Sequence, residues 1–249
     1  MLSTIGKGKS SMIKTVILCG GRGSRALPLT ENLPKPLLLV GNRPVLAHLM
    51  EIYAAQGFRE FVLAAGFKRD LIVAFAAEQP PGWSVEVVDT GEDANTGERV
   101  RRCADRVGDV FFVTYGDGLG DVDLTRLLAF HREHPGTATV TTVALPSQYG
   151  TIDYGADGRV ERFREKPLLP EHRINAGFFV FDRAVFDMWH GHDLEREVLP
   201  DLCARGELYA YDHHGFWKSM DTHKDTVALS ELCRDDQPPW VRSQASAEP

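Results

Sequence analysis

The chain has 249 residues, of which 43% are hydrophobic and 25% are charged. This composition is typical of a globular protein, and the length suits one large α/β domain or two small ones. The formal net charge of −7 argues against a nucleic-acid-binding protein, which would present a basic surface to phosphates. We therefore expect no nucleic-acid partner.

The cysteines are far apart in the sequence and form no CxxC pair. They are Cys19, Cys103, Cys203 and Cys233. This spacing excludes the usual zinc motifs and a disulfide framework, so we expect free thiols and a cytoplasmic protein. No apolar run is long enough to cross a bilayer, and no membrane partner is expected.

Both ends of the chain are predicted to be flexible tails, over residues 1–12 and 241–249. The first segment is rich in Gly, Ser and Lys and lacks the apolar stretch of a signal peptide. Met12 is a candidate alternative start. Between the tails we expect a single domain over residues 13–240.

The first half of that domain alternates short apolar runs with helical patterns that stop at glycine or proline. The runs predict strands over 15–18, 61–65, 85–88 and 110–115, and the patterns predict helices over 44–56, 69–78 and 97–107. Such alternation predicts a parallel, doubly wound sheet.

The second half is richer in strand signals. It predicts strands over 137–145, 150–154, 160–164 and 178–181, and helices over 183–189 and 195–205. The fold class is therefore α/β, with a Rossmann-like, doubly wound, mixed but mainly parallel sheet. Ligands of such sheets bind at the carboxyl ends of the strands, here under a lid from the second half.

A glycine-rich loop, GGRGSR at 20–25, follows the first predicted strand. Its backbone amides can approach phosphate oxygens closely. Residues 21–26 also match the dinucleotide pattern GxGxxA, but that pattern needs an uninterrupted helix and an acidic residue ending the next strand. Here Pro28 interrupts the helix and the next strand ends at Ala65-Gly66. The nicotinamide interpretation is therefore weak, and no Walker GK[ST] closes the loop.

Five motifs in order carry a resemblance to a known family. They are GGRGSR followed by LPKP (33–36), TYGDG (114–118), FREKP (163–167), NAGFFV (175–180) and FWKSMDT (216–222). Over residues 14–240 the chain resembles the sugar-1-phosphate nucleotidyltransferase family, which implies the nucleotide-diphospho-sugar transferase type of fold. VDTG (88–91) and TGERV (96–100) are most similar to glucose-1-phosphate cytidylyltransferases. The usual insertion before VDTG is replaced here by a short turn at 78–85.

The resemblance implies a reaction and a catalytic set. A sugar-phosphate oxygen attacks the α-phosphorus of a nucleoside triphosphate, with Mg²⁺ as cofactor, and pyrophosphate leaves without a covalent intermediate. Asp117 and Asp221 would hold the metal, a role that suits hard oxygen ligands. Arg25 and Lys35 would hold the triphosphate, and Lys166 the phosphate of the sugar.

The resemblance also implies two substrate subsites, the nucleotide half spanning about 13–135 and the sugar half about 136–240. Candidate nucleotide contacts are Leu18, Cys19, Gly20, Gly21, Gly23, Ser24, Gly66, Thr90, Thr96 and Gly116. Candidate sugar contacts are Tyr149, Gly150, Glu165, Lys166 and Asn175. The implied partners are a nucleoside triphosphate and a sugar 1-phosphate, and homo-oligomers are compatible with the family.

Several alternatives stay open. The short turn at 78–85 and Glu98 are compatible with GTP, UTP or dTTP, and with a modified hexose or heptose. A non-catalytic sugar-nucleotide-binding regulator is a second alternative, and a nicotinamide enzyme a third. The histidine pairs at 190–192 and 213–214 lack a second pair at ligand spacing, and we interpret them as surface residues. Arg99, Arg101 and Arg102 are expected on a solvated helix face, from which one could reach a phosphate.

Overall fold

The computed structural model describes residues 12–234 and 237–241. The expected tails, 1–12 and 241–249, lie outside the described residues except for Met12 and Val241. The sequence carries the following strands and helices. The strands are β1 (Lys14–Leu18), β2 (Leu39–Val40), β3 (Arg43–Pro44), β4 (Glu60–Ala65), β5 (Ser84–Asp89), β6 (Val110–Tyr115), β7 (Gly118–Gly120), β8 (Ala138–Pro146), β9 (Thr151–Tyr154), β10 (Val160–Arg164), β11 (Leu168–Asp182), β12 (Leu208–Asp212) and β13 (Trp217–Ser219). The α-helices are α1 (Val45–Ala55), α2 (Arg69–Ala77), α3 (Thr96–Arg102), α4 (Leu124–Glu133), α5 (Leu199–Ala204) and α6 (His223–Leu232).

A seven-stranded sheet organises the described chain, in the order β12-β8-β11-β6-β1-β4-β5. The pairs β4–β5, β1–β4, β1–β6 and β12–β8 are parallel. β11 is antiparallel to both of its neighbours, β6 and β8. The predicted mixed, mainly parallel sheet is therefore confirmed.

The central strands are buried on both faces, which explains their near-continuous apolar sequences. Because successive side chains alternate between faces, Ile17 and Phe112 pack into one core and Val16 and Phe111 into the other. Tyr53 of α1 covers the first face, with its ring 5.6 Å from that of Phe112. Helices α3 and α5 cover the second face through side chains such as Val100 and Leu202.

Several elements differ from the sequence expectation. The helix expected over 97–107 is α3 followed by a 3-10 turn at Ala104–Arg106. The segment 195–205 is a π-helical turn, Leu194–Val198, that continues into α5, and 183–189 is a 3-10 helix, Arg183–Met188. Strand β11 is much longer than the strand predicted over 178–181. The prediction missed its first half because that half is exposed and has no apolar pattern. Helices α4 and α6 and strand β12 were not predicted.

The hairpin formed by β9 and β10 stands away from the sheet. Ile152 pairs with Phe163 across the two strands, and their side chains are 52% and 61% exposed. The hairpin therefore adds little to either core. No helix in the described part of the chain is both long and apolar enough to cross a membrane.

Candidate active site

A cleft with a volume of about 780 Å³ lies at the carboxyl ends of the parallel strands β1 and β6. Leu18 and Tyr115, the last residues of the two strands, are paired in register. The loops that follow them are therefore neighbours, and both line the cleft. This is the expected position of a ligand site in a doubly wound sheet.

Two carboxylates from distant parts of the sequence meet in this cleft. Asp117 lies in the turn between β6 and β7, and Asp221 follows β13. Strands β7 and β13 pair with each other, and the amide of Met220 donates to the carbonyl oxygen of Asp117 at 2.9 Å. This pairing brings the two predicted metal ligands to the same wall.

Lys35 lies between these carboxylates. Its Nζ is 2.5 Å from Oδ2 of Asp117 and 3.0 Å from Oδ1 of Asp221, and its side chain is only 13% exposed. Burial opposes the charged form, but the two aspartates outweigh it and raise the pKa of Lys35. The ammonium is therefore fully charged at neutral pH.

The short 3-10 helix Lys35–Leu37, flanked by Pro34 and containing Pro36, fixes the backbone of that lysine. A proline pre-sets φ and removes conformational freedom from the unfolded chain. The PKP sequence thus fixes the ammonium of Lys35 beside the carboxylates of Asp117 and Asp221.

The glycine-rich loop after β1 borders the same wall and leads into a 3-10 helix, Ser24–Ala26. Gly23 has φ +62, and a Cβ there would lie 2.9 Å from Cβ of Lys35. Glycine is therefore required at this position by both conformation and space. No α-helix follows the loop directly in the described chain, which agrees with the weak match to the dinucleotide pattern. The side chain of Arg25 lies outside the described residues.

Arg99 forms the floor of the cleft, which corrects its expected place on a solvated helix face. Its guanidinium donates to the carbonyl oxygens of Gly20, Gly91 and Glu92 and to Oγ1 of Thr90, all at 2.7 to 3.0 Å. The residue is only 3% exposed. A single side chain of α3 thus ties the loop after β1 to the loop after β5.

Two of the predicted nucleotide contacts support Arg99 and do not line the cleft. The hydroxyl of Thr90 donates to the carbonyl oxygen of Ala65 and accepts from Arg99. A Cβ on Gly66 would lie 2.5 Å from Nη1 of Arg99 and 2.4 Å from the carbonyl oxygen of Gly91. Both residues therefore pack against Arg99 behind the wall of the cleft. A direct contact of either residue with the nucleotide stays a prediction.

The other predicted nucleotide contacts line the cleft. They are Leu18, Cys19, Gly20, Gly21, Gly23, Ser24, Thr96 and Gly116. Burial raises the pKa of the Cys19 thiol strongly, so this cysteine is a neutral part of the wall and not a thiolate nucleophile.

The predicted sugar contacts are divided by the structure. Asn175 lines the cleft. Tyr149, Gly150, Glu165 and Lys166 lie at the base of the β9–β10 hairpin and do not line the cleft, so their role as sugar contacts stays a prediction. Tyr149 is 78% exposed. These four positions adjoin a hairpin that stands away from the sheet, which is the physical reason for the difference.

Sequence reasoning did not predict several residues that line the cleft. They come from four separate segments of the chain and are Asn95, Tyr115, Asp193, Glu195, Arg196 and Trp217. Asn95 and the residues of segment 193–196 belong to no short motif, and the loop and helix patterns that contain them resemble ordinary solvated surface. Tyr115 and Trp217 lie in the TYGDG and FWKSMDT motifs, which could have suggested a role for these two residues.

The donor set of the Asp117–Asp221 wall fits a substrate-bridged Mg²⁺. These two carboxylates are hard oxygen ligands that already hold a cation, the ammonium of Lys35. Within the described residues no group of three or more His, Cys, Asp or Glu side chains could hold a metal. Mg²⁺ commonly binds through one or two carboxylates, with phosphate and water as the remaining ligands, and this wall supplies that minimal set.

Comparisons with known proteins identify relatives of this chain. The family model described as "Nucleotidyl transferase" matches residues 14–235. The chain is 35% identical to the glucose-1-phosphate cytidylyltransferase of Salmonella typhimurium, over 92% of this chain and 98% of that protein. It is 31% identical to the mannose-1-phosphate guanylyltransferase catalytic subunit beta of Xenopus tropicalis, over 92% of this chain and 68% of that protein.

The fold is also shared with a solved structure, the crystal structure of HddC from Yersinia pseudotuberculosis. The TM-score is 0.69 and the identity 21%, over 88% of this chain and 99% of that one. The resemblance inferred from the sequence motifs is confirmed by the family model and the relatives, and the chain belongs to the nucleotidyl transferase family.

Proposed function

We propose that the chain transfers a nucleotidyl group from a nucleoside triphosphate to a sugar 1-phosphate, with Mg²⁺, and releases pyrophosphate. CTP and glucose 1-phosphate are the favoured substrates. The observation that carries the proposal is the Asp117–Lys35–Asp221 cluster beside a glycine-rich loop, in a cleft at the carboxyl ends of β1 and β6. The 35% identical cytidylyltransferase relative supports the choice of substrates.

The reaction joins two anions, so the protein must mainly neutralise charge and hold the reactants in line. A phosphate oxygen of the sugar 1-phosphate attacks the α-phosphorus, and the bond from that phosphorus to the β-phosphate oxygen breaks. Mg²⁺ held by Asp117 and Asp221 would neutralise phosphate charge. Lys35 supplies a fixed positive charge at the same wall, and the loop amides of residues 20–24 would bind the phosphates.

No side chain needs to act as a covalent nucleophile in this scheme. The thiol of Cys19, which lines the cleft, is held neutral by burial. Arg99 keeps the two nucleotide-side loops in place through four hydrogen bonds and so maintains the shape of the nucleotide subsite. The positions expected to hold the sugar phosphate, Lys166 above all, stay predictions.

The test is pyrophosphate release with CTP, UTP, GTP, ATP and dTTP against a panel of sugar 1-phosphates, with and without Mg²⁺. Glucose 1-phosphate and mannose 1-phosphate both belong in the panel, because a guanylyltransferase relative is 31% identical. Release with CTP and glucose 1-phosphate that stops with EDTA supports the proposal in full. Release with another pair would support the proposed nucleotidyl transfer but contradict the choice of CTP and glucose 1-phosphate. Nucleotide binding without release would favour the non-catalytic regulator.

A further inference from the structure

Glu195 lines the same cleft as the glycine-rich loop. Its Oε1 accepts a hydrogen bond from the hydroxyl of Tyr115. Its Oε2 accepts one from Oγ1 of Thr96 at 2.6 Å. Because a hydroxyl donates to each oxygen, both carboxylate oxygens are fixed in position. Thr96 begins the helix on the nucleotide side, so Glu195 joins that side to the second half of the chain.

The backbone around Glu195 is fixed as firmly as its side chain. Asp193 accepts from the amides of Glu195 and Arg196 at 3.1 and 2.8 Å. The amide of Leu194 donates to the hydroxyl of Thr96 at 3.0 Å. The residue itself lies in a π-helical turn, Leu194–Val198, a rare conformation that occurs frequently at functional sites.

A further contact links Glu195 to a predicted sugar contact. Nδ2 of Asn175 donates to the Tyr115 hydroxyl at 3.0 Å, and the side-chain oxygen of Asn175 accepts from the amide of Gly177. Tyr115 thus accepts from Asn175 and donates to Glu195. Gly177 makes this possible, since a Cβ at that position would lie 2.3 Å from Cδ2 of the Tyr115 ring.

We propose that Glu195 is a specificity-determining residue whose carboxylate accepts hydrogen bonds from a vicinal diol of the substrate. An ionised carboxylate offers about four acceptor sites, and the two hydroxyls of Thr96 and Tyr115 use one on each oxygen. The remaining acceptor sites of a carboxylate exposed to the cleft suit two neighbouring hydroxyl groups. The inference rests on the proposed function, because the hexose of the sugar phosphate and the ribose of the nucleotide are the diols of that reaction.

The test compares the wild-type protein with Glu195→Gln, which replaces one acceptor oxygen by a donor and keeps the size of the side chain. The matched control is Glu197→Gln in the same π-helical turn. One oxygen of Glu197 accepts from the amides of His192 and Asp193, and glutamine retains such an oxygen. Calorimetry measures the binding of CTP, 2′-deoxy-CTP, CDP-glucose and CDP-2-deoxyglucose, none of which requires turnover.

We expect Glu195→Gln to lose roughly ten- to a hundredfold in affinity for the ligand whose diol it contacts, as for hydrogen bonds to charged groups. Loss for CTP, with the preference over 2′-deoxy-CTP abolished, identifies the ribose. Loss for CDP-glucose alone, with the preference over CDP-2-deoxyglucose abolished, identifies the hexose. The control Glu197→Gln should bind all four ligands as the wild type does.

If Glu195 had only a structural role, Glu195→Gln would lower the melting temperature and weaken the binding of all four ligands equally. That result would overturn the inference. Unchanged binding of every ligand would also overturn it and leave the proposed function intact. A wild-type protein that binds none of the four would contradict the choice of CTP and glucose 1-phosphate, and the same comparisons would then be made with the nucleotide and sugar that support pyrophosphate release. The orienting role of Tyr115 predicts that Tyr115→Phe adds little to the loss already caused by Glu195→Gln, as measured by a double-mutant cycle.

Discussion

The contact of Lys35 with Asp117 and Asp221 suggests a substitution that separates catalysis from folding. Asp117→Asn keeps the size of the side chain and leaves Lys35 paired with Asp221 at 3.0 Å. It removes a negative charge from the pair of proposed Mg²⁺ ligands, so we expect at least a hundredfold loss in kcat, roughly the loss from removing one electrostatic contact to the transition state. The measurement is pyrophosphate release over a range of Mg²⁺ concentrations, with the melting temperature as a check on folding. A variant that kept wild-type turnover would contradict the assignment of Asp117.

A second prediction at the scale of single residues concerns Arg99. Its guanidinium satisfies three carbonyl oxygens and one hydroxyl behind the cleft, and Arg99→Ala would leave these acceptors without their donor. We expect roughly 3 kcal/mol of lost stability, since each buried unsatisfied group costs about 1–3 kcal/mol and some of the four will find water. Urea unfolding measures this loss. Arg101→Ala is the control, because Arg101 is exposed on the same helix and should change stability by less than about 0.5 kcal/mol.

The residues of the site that could be predicted from the sequence are those in short motifs. Lys35 and Asp117 belong to compact sequence patterns, and the structure places both in the cleft. Glu195 and Arg99 could not be predicted. Both partners of the Glu195 carboxylate are 80 or more positions away in the sequence, and the contact by which Arg99 reaches the loop after β1 is to Gly20, 79 positions away. A charged residue on a short helix has the same local pattern whether it faces solvent or a buried carbonyl. Only the packing of α3 against β1 distinguishes the two.

At the scale of secondary structure, the first turn of α6 positions Asp221. One oxygen of Asp225 accepts from the amides of Asp221 and Thr222 at 3.2 and 2.9 Å, and the hydroxyl of Thr222 accepts from the amide of Asp225 in return. This reciprocal capping box satisfies amides that a helix start otherwise leaves without partners. The other oxygen of Asp225 accepts from Lys218 at 2.9 Å.

We expect Asp225→Ala to destabilise the protein by about 1 kcal/mol, the usual loss of a helix cap, and to raise the Mg²⁺ concentration needed for half-maximal activity. Burial alone would raise the pKa of Asp225, but hydrogen bonds from Lys218 and Thr222 lower it overall. The ionised Asp225 carboxylate therefore stabilises the fold at pH values above the pKa of aspartate in the unfolded chain, about 3.9. This stabilisation is lost as the pH falls through the lower pKa of Asp225 in the folded protein. Unfolding at pH 7 and at acid pH should show the difference between variant and wild type shrinking in acid. Glu231→Ala, exposed near the end of the same helix, should leave the Mg²⁺ requirement unchanged.

Elements with a continuous apolar pattern were predicted well, and elements with mixed patterns were not. β1, β4 and β6 are buried on both faces, so their sequences predict strands without any knowledge of their neighbours. The first half of β11 has an exposed, charged sequence with a proline, and only its pairing with β8 makes it a strand. Tertiary pairing decides the conformation of such segments, and a single sequence does not contain that information.

For the whole molecule, the order of the strands explains why residues from both halves of the sequence share one cleft. β11 is inserted between β6 and β8, so Asn175 of the second half lies beside Tyr115 of the first. The expected division into a nucleotide half and a sugar half stays a prediction, but the sheet itself is continuous across it. Any ligand that spans the cleft would contact segments that are far apart in the sequence.

The end of the described chain closes one of the two cores. Trp240 is 1% exposed, packs edge-on to His48 of α1 with ring centroids 5.5 Å apart, and lies 5.9 Å from the ring of Phe216. Phe216 directly precedes β13, the strand that leads to Asp221. Residues near the end of the chain therefore support both the first helix and a wall of the cleft.

Trp240→Ala should accordingly cost about 3–5 kcal/mol of stability, the range for deleting a buried tryptophan side chain, and should also weaken activity through the loosened support of β13. Urea unfolding and pyrophosphate release on the same samples measure the two effects. Trp240→Phe retains an aromatic ring and should recover part of both losses. Val241→Ala removes a side chain that is 39% exposed and should change neither. If Trp240→Ala unfolded at the wild-type urea concentration, the last described segment would not be part of the core, and the support of Asp221 would have to come from β7 and α6 alone.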